Sequence, residues 1–169
     1  MKKVDLPFMP QFFDRYIDLV DTAIDLNDGL KHGISVFHKI EPELVKKADF
    51  RYQPKKWSIK EVLQHCIDTE RIMNYRALVF AREGNIDLAG MDENLYARNA
   101  CVSLKSIEDL LAEFKAVRVS SLFLFKSLTT EQLLQTGTCF GKEMTTLAIG
   151  FVLIGHPLHH LNILKERYF

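Results

Sequence analysis

The stretch TTLAIGFVLIGHPLHHLNILKERYF, residues 145–169, decides the fold of this chain. Its first ten residues are almost wholly apolar, and Thr145 is of a residue type that caps helices. The pattern predicts a helix that begins after Thr145, runs to the end of the sequence and fills a core. Its apolar run, 147–154, is too short to span a bilayer. The helix then presents three histidines within five residues: His156, His159 and His160.

The preceding sequence shows helical periodicity with few interruptions, since it has only 8 glycines and 5 prolines in all. Ser58 and Glu61 have the spacing of a capping box, which predicts a long helix that runs to about Glu83. Gly84 is the kind of residue that ends a helix. Ser106 is a plausible cap for a further long helix.

The N-terminal part predicts another long helix, which begins at Thr22 and is stopped by Pro42. Shorter helices are expected at 12–20 and 130–135, and loops at 85–103 and 136–144. No segment shows a strand pattern. The sequence therefore predicts an all-α four-helix bundle with short extra helices.

The composition excludes several classes of protein. A hydrophobic fraction of 47% and a charged fraction of 26% are typical of a soluble globule, and 169 residues fit one domain spanning 1–169. A net charge of zero argues against a nucleic-acid partner. The three cysteines are too few and too scattered for a disulfide framework or a thiolate zinc site. The N-terminal residues lack the apolar region of a signal peptide, so we expect a cytoplasmic protein without a membrane partner.

His156 and His160 share one face of the last helix, because residues four apart differ by about 40° of rotation. This HxxxH spacing lets two imidazoles reach one metal ion. A metalloprotease of the HExxH type needs a glutamate after the first histidine, and Pro157 occupies that position, which excludes the class. His159 diverges from His160 by about 100° and is predicted to lie off the site.

A catalytic metal site usually has three protein ligands and an open position. His65 is the candidate for the third ligand, because apolar residues on its side of the helix place it toward the core. His32 and His38 have polar neighbours and are predicted to lie on the surface, and Cys66 is turned about 100° away from His65. Two alternatives stay open: His65 as a hydrogen-bonded core histidine, and the last histidines as complements of the helix dipole.

Other residues near this triad are weaker candidates. Asp68 and Glu70 follow His65 and could accept hydrogen bonds from a ligand imidazole. A structural ion pair of Glu70 with an arginine such as Arg71 or Arg76 is the favoured interpretation.

The long connection also offers candidates. Asp92 and Glu93 either line the mouth of a pocket or are simply solvated. Tyr75 and Tyr96 could donate a proton, although a tyrosine at helical spacing more often packs. Trp57 is predicted to be a helix staple or a core residue.

Two segments with these features resemble the DinB/YfiT superfamily, specifically its DinB-like branch: KWSIKEVLQHCIDTERIMNYRALVFAREG and GHPLHHLNILKERY. The resemblance extends over nearly the whole chain and includes MDENLY, EDLLAEFKAVR and GTCFGKEMT. It implies a four-helix bundle with an unusual, non-up-down connection. It also implies a metal triad made of one histidine on the second helix and an HxxxH pair on the fourth, which here are His65, His156 and His160. Pro157 departs from the family pattern, but it leaves both ligand side chains in place.

The resemblance implies a metal-dependent enzyme. Similar proteins include thiol transferases, which add a low-molecular-weight thiol such as bacillithiol to an electrophile, and relatives include mycothiol-dependent isomerases and proposed hydrolases. We therefore expect a divalent metal, Zn²⁺ or Ni²⁺, with a small-molecule thiol and an electrophile as substrates. The catalytic group would be the metal-activated thiol or water rather than an assigned side chain. The alternatives are a non-catalytic, stress-associated metal-binding bundle and a metal-dependent hydrolase.

The same features predict self-association. A net charge near zero and apolar surplus on the helices favour a homodimer, and dimers are common in similar proteins. Helix-to-helix contact with two-fold symmetry is the expected arrangement.

Overall fold

The computed structural model describes residues 1–169 and is mainly helical. The α-helices are α1 (Asp14–Ile17), α2 (Leu26–His32), α3 (Glu41–Lys46), α4 (Ile59–Glu83), α5 (Glu93–Asn99), α6 (Ile107–Lys126), α7 (Thr130–Leu134) and α8 (Thr146–Arg167). Three short strands accompany them: β1 (Asp87–Leu88), β2 (Thr136–Cys139) and β3 (Lys142–Thr145).

The three longest helices begin where their caps predict. The Ser58 and Ser106 side chains accept hydrogen bonds from backbone N–H groups three residues on, and both belong to complete capping boxes. Thr145 caps α8 in the same way through Ala148 N–H. Gly84 ends α4 with φ 65°, a left-handed conformation that glycine adopts without a steric penalty.

The long helix expected from Thr22 to Pro42 is wrong. This part of the chain forms α2, two 3-10 turns at Gly33–Ser35 and His38–Ile40, and then α3. Asp25 caps α2 by accepting from the backbone N–H of Asn27. Pro42 lies in the first turn of α3, where its missing N–H has no intrahelical partner to lose.

Gly33 marks the break after α2. A β-carbon at Gly33 would lie 2.4 Å from Nη1 of the buried Arg118 on α6. The chain therefore approaches the arginine closely at this position, and glycine is a poor helix former. The part of the bundle where this long helix was expected is made of short helices and turns instead.

The prediction that no segment forms a strand is also wrong. β2 and β3 form an antiparallel hairpin in which Cys139 pairs with Lys142, and β1 adds to β2 in parallel. The buried and exposed residues of β2 alternate, as in a half-buried strand, but four residues are too few to give a periodic signal. Gly137 lets the hairpin approach α4, because a β-carbon there would lie 2.3 Å from the Phe80 ring.

Helix α8 is the central element of the core. It packs against α1, α2 and α4, and its residues 146–157 are all buried. By length and composition α8 could cross a membrane, but 72% of its most apolar window is buried inside the protein. This burial fits the core helix of a soluble fold.

Candidate metal centre

The structure brings the three predicted histidines together between α4 and α8. Nε2 of His65 lies 3.1 Å from Nε2 of His156, and Nε2 of His160 also lies 3.1 Å from it. All three potential ligand atoms are within 4.8 Å of one another. The exposed fractions are 7%, 5% and 8% for His65, His156 and His160.

Burial holds these histidines neutral. Loss of hydration lowers the pKa of His65 to about 4, with a smaller contribution from His159. Burial also brings the pKa of His156 and of His160 well below the usual value, and the neighbouring imidazoles add to the effect. A neutral imidazole keeps the lone pair that a metal ligand needs.

Hydrogen bonds among the rings cannot account for this arrangement. Nε2 of a neutral imidazole carries either one hydrogen or one lone pair, so His156 Nε2 can bond to only one of its two neighbours. A tetrahedral zinc site with bonds of 2.0–2.1 Å has ligand nitrogens about 3.3 Å apart, close to the spacing found here. The three histidines could therefore hold a divalent metal.

Aromatic and hydroxyl groups fix the rings. The Trp57 indole lies against His65 with ring centres 4.7 Å apart, and Tyr16 meets His156 edge-on at 5.2 Å. Nδ1 of His65 lies 3.5 Å from the Thr69 hydroxyl oxygen, which can accept a hydrogen bond from it and so direct Nε2 toward the other histidines. Trp57 therefore contacts a predicted metal ligand and is not only a staple at the start of α4.

His159 lies outside the cluster. It is half-buried, and its ring meets the Tyr16 ring edge-on at 5.3 Å. His32 and His38 are exposed, as predicted. Cys66 is buried in the apolar core, where burial raises the pKa of its thiol.

A buried ion pair supports α8 beside the histidines. Arg118 donates to both carboxylate oxygens of Glu70, at 2.7 and 2.8 Å, and its Nη2 also donates to the Leu153 carbonyl at 2.5 Å. Leu153 is four residues before Pro157, so its carbonyl has no helical N–H partner. Arg118 replaces the hydrogen bond that Pro157 removes.

This pairing corrects the partner expected for Glu70, which is neither Arg71 nor Arg76. Asp68 accepts from Gln64 and lies near Arg71, and neither contact involves a histidine. The burial of Arg118 could have been predicted from the sequence, because this residue lies within the apolar face of α6.

A cavity of about 300 Å³ opens beside His65 and His156. Most of its wall is apolar, and its polar lining includes the Tyr16 ring, Thr69 and Arg76. The exposed carboxylates of Asp92 and Glu93 line it too. Its apolar lining residues are Phe12, Phe13, Met73, Met91, Phe140 and Val152.

Tyr16 is a cavity residue beside the histidines that sequence reasoning missed. A β-carbon at Gly155 would lie 1.9 Å from the Tyr16 carbonyl oxygen, so the glycine before His156 lets α1 reach α8. Burial raises the pKa of Tyr16, which keeps its hydroxyl protonated at neutral pH. Tyr75 and Tyr96, the tyrosines considered as proton donors, are 59% and 46% exposed and do not line the cavity.

Comparison with known proteins agrees with the helical bundle. The sequence profile of the DinB superfamily matches residues 44–164, a range that includes His65, His156 and His160. The chain belongs to the DinB superfamily. A search of curated proteins gives no match.

This DinB-superfamily chain is also similar in fold to a solved structure. YfiT from Bacillus subtilis, described as a probable metal-dependent hydrolase with an unusual four-helix bundle topology, superposes with a TM-score of 0.73. The match covers 87% of this chain and 89% of YfiT at 16% sequence identity. The predicted four-helix bundle of DinB/YfiT type is therefore confirmed, and at this identity the likeness concerns the fold alone.

Proposed function

We propose that this protein is a divalent-metal-dependent enzyme that transfers a low-molecular-weight thiol to a small electrophile. The observation that carries the proposal is the convergence of three neutral, buried imidazoles, two of which, His65 and His156, line an apolar cavity. His65, His156 and His160 would hold the metal, with Zn²⁺ or Ni²⁺ as the expected ion. A divalent ion bound there would lower the pKa of a coordinating thiol or water.

The side chains of the cavity favour a thiol over water as the nucleophile. The ligand cluster contains no carboxylate, and the two carboxylates that line the cavity, Asp92 and Glu93, are exposed. A thiol needs less help, because its ordinary pKa is about 8.5 and its sulfur suits an apolar wall. Tyr16 lines the cavity, and its hydroxyl would donate a hydrogen bond to the electrophile or its leaving group.

Hydrolysis is the second candidate function. It is favoured by the fold shared with YfiT, a protein described as a probable metal-dependent hydrolase. Water would then replace the thiol at the same three histidines.

The test uses the purified chain loaded with Zn²⁺ or Ni²⁺. Bacillithiol and monobromobimane are supplied together, and the conjugate is quantified by mass spectrometry against the rate without protein. We expect metal-dependent conjugation that His160→Ala abolishes and His159→Ala retains. Metal-loaded protein that does not accelerate conjugation but hydrolyses p-nitrophenyl acetate would favour the hydrolase, and absence of both activities would favour a non-catalytic metal-binding protein.

Compartment and assembly are part of the same proposal. We propose a cytoplasmic protein, since Cys101 is exposed as a free thiol and the other two cysteines are also unpaired. We further propose a homodimer formed through helix faces, because Phe123 on α6 is 69% exposed. Light scattering should return the mass of two 19.5 kDa chains, and a single-chain mass at tens of micromolar would contradict the dimer.

A further inference from the structure

The far side of the cavity is closed by aromatic rings from two distant segments. Phe140 lies at the tip of the β2–β3 hairpin and Phe12 lies just before α1, and their ring centres are 5.5 Å apart. Phe12 is 6.5 Å from Tyr16, which in turn meets His156. A row of aromatic rings therefore leads from the hairpin tip to the histidine cluster.

Both phenylalanines occupy an unfavourable backbone conformation. Phe12 has φ 76° and Phe140 has φ 55°, in the left-handed region where a β-carbon crowds the backbone. Residues held in this way cluster at functional sites, because the surrounding structure must compensate for them.

Phenylalanine is an unusual residue at position 140, in the turn between β2 and β3. Cys139 pairs with Lys142, so Phe140 and Gly141 form a two-residue turn, and both have positive φ. Such turns strongly prefer Asn-Gly, since asparagine tolerates this conformation far better than phenylalanine. The hairpin itself gains nothing from an aromatic residue at this position.

Phe140 instead contacts groups outside the hairpin. Its ring touches Phe12, and it lies so close to Gly90 that a β-carbon there would be 2.8 Å away. Phe140 is still 52% exposed, so burial of its own surface is incomplete. Arg15 lies over the Phe12 ring with its guanidinium carbon 4.0 Å from the ring centre, which stiffens that wall.

We infer that the cavity is a binding site for a flat aromatic group, held against the row formed by Phe140, Phe12 and Tyr16 with its reactive end toward the histidines. The inference rests on the proposed function and specifies its electrophile, which carries an aromatic ring. Ring-to-ring contact favours an aromatic over a saturated ring of equal size.

A matched pair of probes tests the inference without turnover. Nitrobenzene and nitrocyclohexane carry the same polar group on an aromatic and a saturated ring. Each is titrated into the full chain, with and without Zn²⁺, while the ¹³C-labelled methionine methyl groups are followed by NMR. Met73 and Met91 line the cavity, and Met1 lies outside it and serves as the internal control.

We expect nitrobenzene to shift the Met73 and Met91 signals, to leave Met1 unchanged and to bind about tenfold more tightly than nitrocyclohexane. Phe140→Asn should remove this preference while the melting temperature stays the same or rises, because asparagine suits the turn. Phe123→Ala, at an exposed phenylalanine away from the cavity, should retain it.

Three outcomes would overturn the inference: equal binding of the two probes, shifts confined to other methionines, or a preference that survives Phe140→Asn. Metal content is measured on the same samples. Aromatic preference without metal would refute the proposed function alone, and metal without aromatic preference would refute this inference alone.

Discussion

Two polar clusters lie buried among α4, α6 and α8, and they differ in how their polar atoms are satisfied. In the Glu70–Arg118 cluster the charges are opposite, and three hydrogen bonds join Arg118 to Glu70 and the Leu153 carbonyl. The Ser121 hydroxyl donates a further bond to Glu70 at 2.6 Å. In the histidine cluster three neutral rings face one another, and a hydrogen bond between two of their inward nitrogens leaves the third without a partner.

The difference indicates different roles. A buried ion pair joined by hydrogen bonds fixes the relative positions of helices, and removing one member leaves the other charge without its counter-ion. A buried imidazole lone pair without a hydrogen-bond partner lowers the stability of the metal-free protein, and a bound cation would offset this loss. The first cluster therefore positions α8, and the second is suited to bind a metal.

Loss of Arg118 is the change with the largest expected effect. Arg118→Ala leaves the buried Glu70 charge without its counter-ion and the Leu153 carbonyl without a partner, so we expect the free energy of unfolding to fall by about 3–5 kcal/mol. Denaturant titration measures it. Arg71→Ala is the control, because Arg71 forms a surface pair with Glu113, worth at most about 1 kcal/mol. Equal losses in the two variants would remove the distinction between the clusters.

Acid should destabilise the metal-free protein through its histidines. The folded pKa of His65, about 4, is below its unfolded value near 6.5, so between these values the unfolded chain binds the proton and the folded chain does not. The contribution of His65 is fully present above pH 6.5 and is lost as pH falls toward 4, for a total of about 3 kcal/mol. Urea titrations from pH 7.5 to 4.5 should show it, and His65→Gln should flatten the curve. A native profile as flat as that of the variant would contradict the burial argument.

Metal should stabilise the native chain and distinguish two adjacent histidines. Zn²⁺ at a hundred times its dissociation constant adds about 2.7 kcal/mol to the free energy of unfolding. His160→Ala should lose this gain along with the bound metal, and His159→Ala should keep both. Metal content after chelation and reloading is the direct measurement. Loss of metal in His159→Ala with retention in His160→Ala would place the wrong histidine in the triad.

The smallest expected effect couples Pro157 to Arg118. Pro157→Ala restores an N–H group that can bond to the Leu153 carbonyl, which Arg118 already serves in the native protein. The substitution should therefore stabilise the Arg118→Ala background by about 1 kcal/mol more than the native background. A double-mutant cycle gives the coupling energy. An identical effect in both backgrounds would show that Arg118 does not compensate for the proline.

Prediction from the sequence succeeded where the relevant interactions are local. The caps at Ser58, Ser106 and Thr145 act within three residues, and each helix begins after its cap. The predicted long helix from Thr22 to Pro42 failed because the chain breaks at Gly33, where it approaches Arg118, a residue 85 positions away in the chain. The hairpin was missed because its four-residue strands depend on pairing with each other.

The amino-acid sequence was sufficient to predict the family, the bundle and the three histidines that the fold brings together. It was sufficient because the periodicity of a helix fixes which side chains share a face, and His65, His156 and His160 each lie on a strongly marked helix. Their role as metal ligands stays a prediction. The cavity, the partner of Glu70, the use of Pro157 and the positions of Tyr16, Phe12 and Phe140 became known from the tertiary structure. These depend on close approach between segments distant in sequence, such as Gly155 against Tyr16, and no local pattern records such contacts.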